Sequence, residues 1–276
     1  MGRLVISEPI VSVEWLHSYL NAENIIILDA SIKKVVGNDN SKSEIQIPNT
    51  RFFDLKNAFS DPSAPFPSTF PSEEQFTKEA QALGINKDSA IVVYDDKGIY
   101  SSARAWWLFK AMGHNNVSVL NGGLPEWIQS GYKTEAKKES QFSKGNFEAH
   151  YQSKFMKFFN DVKQASLSKS HTIMDARSEA RFKSLVPEPR EGLRSGTIPN
   201  SVNLPYEDLL DGNQLKSKEG IEAKFQKLAN KDDAIIFSCG SGITACILAL
   251  GAEMSGYKNI SVYDGSWTEW GSLVLE

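Results

Sequence analysis

The chain has 276 residues, a net charge of −4 at neutral pH, 41% hydrophobic residues and 23% charged residues. That length allows one large domain or two of roughly 130 residues, each able to bury a core without disulfides. Mild acidity argues against a basic nucleic-acid or anionic-membrane surface, so any anion site is local, and two cysteines, Cys239 and Cys246, are too few for a disulfide scaffold.

The first residues, Met1 to Pro9, lack a long apolar core and include Glu8, unlike a signal or transit peptide. Gly2 suggests myristoylation, but the position needing Ser or Thr is Ile6. No apolar run approaches the roughly 18 residues of a membrane span. The expectation is a cytoplasmic protein in a reducing compartment.

Helical patterns are predicted over Ser12–Leu20, Glu73–Leu83 and Ser101–Met112 in the first half. The second half offers Lys154–Ser166, Gly220–Leu228 and Thr244–Met254. β-rich runs alternate with them, and the two halves read as copies. Ile25-Ile26-Ile27-Leu28-Asp29-Ala30 parallels Thr172-Ile173-Met174-Asp175-Ala176-Arg177. Ile47-Pro48-Asn49 parallels Ile198-Pro199-Asn200. Ala90 to Asp95 parallels Ala234 to Cys239, and Val117 to Gly123 parallels Ile260 to Ser266. Trp127 and Trp270 close the copies.

This order predicts an α/β fold of two tandem domains, each a mostly parallel sheet flanked by helices. The boundaries are 1–136 for the first, 137–149 for a linker and 150–276 for the second. The stretch from Glu135 to Asn146 is polar and reads as solvated. Functional residues in such sheets gather at the carboxyl ends of strands.

Cys239 stands at such an end. The apolar run Ile235-Ile236-Phe237 leads to Ser238-Cys239, and Gly240-Ser241-Gly242-Ile243-Thr244 opens a helix at Ala245. Loop amides and the helix dipole stabilise a thiolate, the nucleophilic form of sulfur. Gly240 and Gly242, with Ile243, would aim amides at an anion. Ser241 is a candidate partner for a donor thiol or developing charge. Thr244 is expected to cap the helix and to lend its hydroxyl to a bound sulfur.

Cys239-Gly240-Ser241-Gly242-Ile243-Thr244 resembles the active-site loop of the rhodanese superfamily, in the form carried by 3-mercaptopyruvate sulfurtransferases. Asp264-Gly265-Ser266-Trp267 with Trp270 is similar to the segment that follows the catalytic helix. The resemblance implies two tandem rhodanese-like domains, the first catalytically silent, since Asp95 or Asp96 stands where Cys239 stands in the second. It also implies that Arg181, before Phe182, and Arg190, in Pro187-Glu188-Pro189-Arg190, hold the substrate carboxylate and keto group. Arg177 is expected in a structural ion pair, with Asp175 accepting backbone N–H bonds.

The chemistry implied is transfer of sulfane sulfur through a Cys239 persulfide, with no metal and no organic cofactor. Thiosulfate-preferring relatives carry two basic residues where Gly240 and Ser241 stand. Their absence favours a monocarboxylate donor, 3-mercaptopyruvate, over the thiosulfate dianion. Thiosulfate:cyanide transfer is the alternative activity, and a persulfide relay to a partner protein is another. A protein phosphatase would need arginine at the position of Ala245. The expected partners are a small-molecule sulfur donor and a thiol, cyanide or thioredoxin-like acceptor, with neither nucleic acid nor membrane, for a monomeric chain.

The sequence departs from that family at two places, one of them Gln46, which stands where a family histidine precedes Ile-Pro-Gly. Many members carry a Pro-His-x-x-Pro histidine after a Ser-Asp motif. Here Ser60-Asp61 is kept, making Asp61 an accessory candidate, but Ser68 takes the histidine position. An Asp-His-Ser relay through Ser241 therefore cannot operate. His17, His114, His150 and His171 lie in no motif and are expected at the surface or its boundary. Cys246 reads as a small core residue. Trp106, Trp107, Trp127, Trp267 and Trp270 read mostly as core or domain-interface packing, with Trp267 also a candidate to line the cleft mouth.

Overall fold

The computed structural model describes residues 3–34, 43–138 and 140–274. The chain divides into two compact units. Residues 1–62, 70–152 and 212–215 form the first, and 63–69, 153–211 and 216–276 form the second.

Each unit is built on a five-stranded sheet whose paired strands all run parallel. In the first unit the spatial order is Ile10–Val11, Val117–Leu120, Ala90–Tyr94, Ile25–Asp29, Thr50–Phe52. In the second it is Met156–Lys157, Ile260–Tyr263, Ile235–Ser238, Thr172–Asp175, Ser201–Asn203. The two orders are the same once corresponding strands are matched, so the repeat read in the sequence is a repeat of topology.

The central strands Ala90–Tyr94 and Ile235–Ser238 are buried along their whole length. Both are continuous apolar runs rather than alternating ones. That pattern suits a parallel strand covered on both faces. Helices Ser102–Ala111 and Ala245–Met254 follow them and are buried nearly all round. Helices in such a layer have no solvent stripe to fill with charge.

Each unit has a core of its own. In the first, Val92 and Tyr94 pack with Leu16, Ile27, Leu120 and Trp127. An aromatic group of Phe53, Phe59, Phe76, Phe109 and Phe147 adds to the same unit. In the second, Ile173, Ile236 and Tyr263 pack with Trp267 and Trp270.

One expectation about elements needs correction. The predicted helix Lys154–Ser166 begins later, at Phe159, and Met156–Lys157 is instead an edge strand beside Ile260–Tyr263. Only two residues long, that strand gives no period to read. Short helices Gly123–Gln129 and Ser266–Leu273 close the two copies. The polar stretch after Glu135 is largely exposed, yet it is pinned to the first unit. The Gly145 N–H donates to Gln81 O at 2.8 Å, the Phe147 N–H donates to Ile85 O at 3.1 Å, and Phe147 is buried.

Candidate active site

Cys239 is the first residue after the strand Ile235–Ser238 and is 1% exposed. Its loop is held from behind by the start of the helix Ser266–Leu273. The Trp267 N–H donates to Cys239 O at 3.0 Å, and the Thr268 N–H donates to Gly240 O at 2.9 Å. Thr268 Oγ1 donates to the same Gly240 carbonyl at 2.5 Å. These bonds engage the carbonyls of Cys239 and Gly240. Among the described residues, the amides of Gly240, Ser241, Ile243 and Thr244 donate to no protein acceptor. Amides in that state suit an incoming anion.

Ser266 was not singled out by the sequence. Its hydroxyl accepts the Cys239 N–H at 3.0 Å and the Gly242 N–H at 3.2 Å. It donates to Tyr263 O at 2.9 Å and lies 3.9 Å from Cys239 Sγ. Ser266 is fully buried and takes a left-handed φ of 49°. Non-glycine residues seldom adopt that conformation, and it costs of order 1–3 kcal/mol where a surrounding structure enforces it. The Gly242 amide, expected to face an anion, is thus bonded to Ser266, and Gly242 itself supplies a φ of 75° for the turn.

Thr244 also departs from expectation. It stands at the N-cap of Ala245–Met254 with helical dihedrals, φ −74° and ψ −17°, and its side chain makes no capping bond. A capping side chain needs an extended N-cap backbone to reach the next amides. Ser241 is buried in the loop, and Cys246 is buried with its thiol donating to Gly242 O at 3.3 Å.

The guanidinium groups come from the segment after the strand Thr172–Asp175. Arg181 lies on the short helix Glu179–Phe182, and Arg190 lies beyond Pro189. A methyl group at Gly240 would sit 3.2 Å from Arg181 Nη2 and 3.8 Å from Arg190 Nη1. Both arginines therefore converge beside the residue next to Cys239, and the missing side chain makes room for them. Arg190 Nη1 donates to Thr268 Oγ1 at 3.0 Å, tying it to the hydroxyl that braces the loop.

Behind them runs a buried chain of alternating charge. Arg177 forks onto Asp175, with Nη2 to Oδ2 at 2.7 Å, and donates Nη1 to Glu188 Oε1 at 2.8 Å. Glu188 reaches Arg181 Nη2 through Oε2 at 2.6 Å. Burial pulls the Arg177 guanidinium down, but the Asp175 and Glu188 carboxylates outweigh it and hold it above its ordinary value. The expected ion pair of Arg177 with Asp175 is present, and Asp175 Oδ1 also accepts the Arg177 N–H at 2.9 Å. Glu188 is the member that sequence reading passed over. Its signal was an acid two residues before Arg190 in a proline-bounded turn.

Trp267 does not line a mouth. It is fully buried, donates Nε1–H to Arg194 O at 2.9 Å, and has the guanidiniums of Arg177 and Arg194 each 4.8 Å from its ring. His114 is likewise buried rather than at the surface, with Nε2 2.9 Å from Ser89 O. Asp61 is half-buried and belongs to the first unit, whereas Cys239, Ser241, Arg181 and Arg190 belong to the second. Ser68 has a left-handed φ of 62° and groups with the second unit.

In the first unit, Asp95 follows the strand Ala90–Tyr94 as Cys239 follows its own. Asp95 Oδ2 accepts the N–H groups of Tyr100, Ser101 and Ser102 at 2.8, 3.0 and 2.9 Å. Asp95 Oδ1 accepts the Lys97 N–H at 3.0 Å. The loop's amides are engaged by its own carboxylate.

The rhodanese-like domain family matches residues 12–130 and again 159–273. The human 3-mercaptopyruvate sulfurtransferase is 37% identical over 281 residues, spanning 98% of this chain and 94% of that protein. Thiosulfate/3-mercaptopyruvate sulfurtransferase 1, mitochondrial, of Arabidopsis thaliana is 40% identical over 289 residues, spanning 96% and 76%. The crystal structure of SseA from Escherichia coli, described as a 3-mercaptopyruvate sulfotransferase with the rhodanese fold, superposes with a TM-score of 0.84 at 32% identity, covering 94% of this chain and 99% of that one. With both of its α/β units matched and relatives this similar along nearly its whole length, the chain belongs to the rhodanese family, in the tandem two-domain form.

Proposed function

We propose that this protein is a 3-mercaptopyruvate sulfurtransferase. The observation that carries the donor choice is the convergence of Arg181 and Arg190 on the side chain that Gly240 lacks. Two planar donor forks suit a carboxylate and an adjacent keto oxygen. Their position beside the residue next to Cys239 lets a short keto acid span from the arginines to the sulfur. Relatives named for this activity support the same reading.

The reaction runs in two displacements. The Cys239 thiolate attacks the thiol sulfur of 3-mercaptopyruvate, and a sulfur–sulfur bond forms. The substrate carbon–sulfur bond breaks, and its electron pair passes to carbon as the enolate of pyruvate. Arg181 and Arg190 hold the carboxylate and the developing enolate oxygen. Protonation of the enolate releases pyruvate. An acceptor thiolate then attacks the outer persulfide sulfur and restores the Cys239 thiolate.

The loop amides of Gly240, Ser241, Ile243 and Thr244 stabilise thiolate and persulfide charge, Ser266 fixes the loop, and Ser241 Oγ bonds the donor thiol. Asp61 is accessory, and with Ser68 in place of histidine a relay through Ser241 has no imidazole to run through. No metal or organic cofactor enters these steps. The acceptor is a small thiol, cyanide or a thioredoxin-like protein, and the chain works as a cytoplasmic monomer. Among the described residues, no helix is long and apolar enough to cross a membrane.

The test compares two assays, for the wild type and Cys239→Ser. One follows pyruvate release from 3-mercaptopyruvate with a thiol acceptor, and the other follows thiosulfate-to-cyanide transfer. Strong turnover of the first donor, weak turnover of the second and an inactive variant support the assignment. Turnover of neither donor overturns it.

A further inference from the structure

We infer that Glu188 is a positioning residue that sets donor choice, by orienting Arg181 and by cancelling its charge. The inference rests on the reading of Arg181 as a carboxylate-binding residue. Glu188 does not touch Cys239 in this structure, and it acts through its neighbours.

Glu188 is 8% exposed, and both of its carboxylate oxygens are committed. Oε2 accepts from Arg181 Nη2 at 2.6 Å, and Oε1 accepts from Arg177 Nη1 at 2.8 Å and from Arg181 Nε at 3.3 Å. Arg181 is thereby gripped along one edge of its guanidinium plane. A bidentate grip of this kind fixes the plane as well as the distance. Arg177 cannot swing away to release Glu188, because it is forked onto Asp175 and stacked on Trp267. The grip on Arg181 is thus referred back to the end of the strand Thr172–Asp175.

The same contacts fix the charge. Asp175 and Glu188 offset Arg177 and Arg181, so this buried group of four is neutral as a set. The two classes of donor differ in charge. Thiosulfate is a dianion, whereas 3-mercaptopyruvate with its thiol protonated is a monoanion. A neutral group of four favours the monoanion less strongly than a cationic one would, and favours the dianion far less strongly still, because attraction scales with the product of the charges. Glu188 therefore discriminates against the dianion while it presents Arg181 to a carboxylate.

Two substitutions separate orientation from charge. Glu188→Gln keeps the size but leaves one uncompensated positive charge among the remaining three. The expected result is a rise of about tenfold in the thiosulfate to 3-mercaptopyruvate ratio of kcat/KM. Glu188→Asp keeps the charge but withdraws the carboxylate by one methylene. It is expected to raise KM for 3-mercaptopyruvate with kcat nearly unchanged, the signature of lost binding common to ground and transition states.

Both variants are assayed beside the wild type, with thermal unfolding to measure the folded fraction. A folded Glu188→Gln whose activity toward both donors falls by the same factor overturns the charge role. If Glu188→Gln does not fold, Glu188→Asp decides the inference, and an unchanged KM overturns it. A wild type with no 3-mercaptopyruvate turnover would instead sink the functional reading itself, which distinguishes the two failures.

Discussion

Ser266 Oγ accepts the backbone N–H of Cys239 at 3.0 Å and stands 3.9 Å from the Cys239 sulfur. One hydroxyl thus fixes the backbone of the nucleophile and faces its sulfur. Ser266→Ala removes the acceptor from two buried amides, those of Cys239 and Gly242. Each buried donor left unmet costs about 1–3 kcal/mol. The variant is expected to unfold at lower temperature and to lose about tenfold or more in kcat, because every 1.4 kcal/mol of lost transition-state stabilisation is a decade. Pyruvate release and a thermal melt check both.

Arg190→Ala should act chiefly on the donor. Arg190 Nη1 donates to Thr268 Oγ1, and its guanidinium lies beside the position of the side chain that Gly240 lacks. A charged hydrogen bond to substrate is worth about 1.5–3 kcal/mol. The expected outcome is a fall of about tenfold to a hundredfold in kcat/KM for 3-mercaptopyruvate. Steady-state kinetics, with the melting temperature as control, would measure it.

Thr244→Ala tests an expectation that failed. A Thr at the N-cap is ordinarily worth about 1 kcal/mol. Here the side chain makes no capping bond. The substitution should change unfolding free energy by less than about 0.5 kcal/mol. Denaturant unfolding measures this directly, and a loss of the full capping value would contradict the geometry.

Asp95→Ala should separate stability from chemistry. Three N–H groups at the start of the helix Ser102–Ala111 lose their shared carboxylate oxygen. Each buried N–H left without its acceptor costs about 1–3 kcal/mol, so the variant is expected to lose several kcal/mol of stability. Turnover per folded molecule is expected to hold. Denaturant titration and active-site counting would show the split.

Acid should weaken the first unit through His114. Burial holds its imidazole below the ordinary value, so the folded chain keeps it neutral. The unfolded chain takes up a proton below about pH 6.5. The unfolded state then binds more protons, and stability falls as pH drops through that value, by at most about 1.4 kcal/mol per pH unit. The contribution is intact above it. Unfolding curves from pH 7.5 to about 5 for wild type and His114→Gln should differ in slope, with the variant flatter.

Much of this arrangement was legible in the sequence for a physical reason. Parallel strands buried on both faces are written as unbroken apolar runs, so Ala90–Tyr94 and Ile235–Ser238 were readable. A repeated topology imposes a repeated pattern, so Asp95 could be matched with Cys239. Arg181 and Arg190 were found through motif context. What stayed hidden was contact between distant segments. Ser266 lies 27 residues from Cys239 and follows a strand that gives no hint of which loop it will grip. Glu188 looked like an ordinary acid between prolines until the fold set it between two guanidiniums. Trp267 stood between wall and core, because an aromatic residue near a motif can be either and only packing decides.

Cys239 is proposed to take sulfur from 3-mercaptopyruvate. Mass spectrometry of the protein after a single exposure to that donor, without acceptor, tests it most directly. The predicted result is a chain heavier by one sulfur atom, the added mass on the Cys239 peptide, with one pyruvate released per chain and no gain in Cys239→Ser. An unchanged mass, or a gain that persists in Cys239→Ser, would contradict the account.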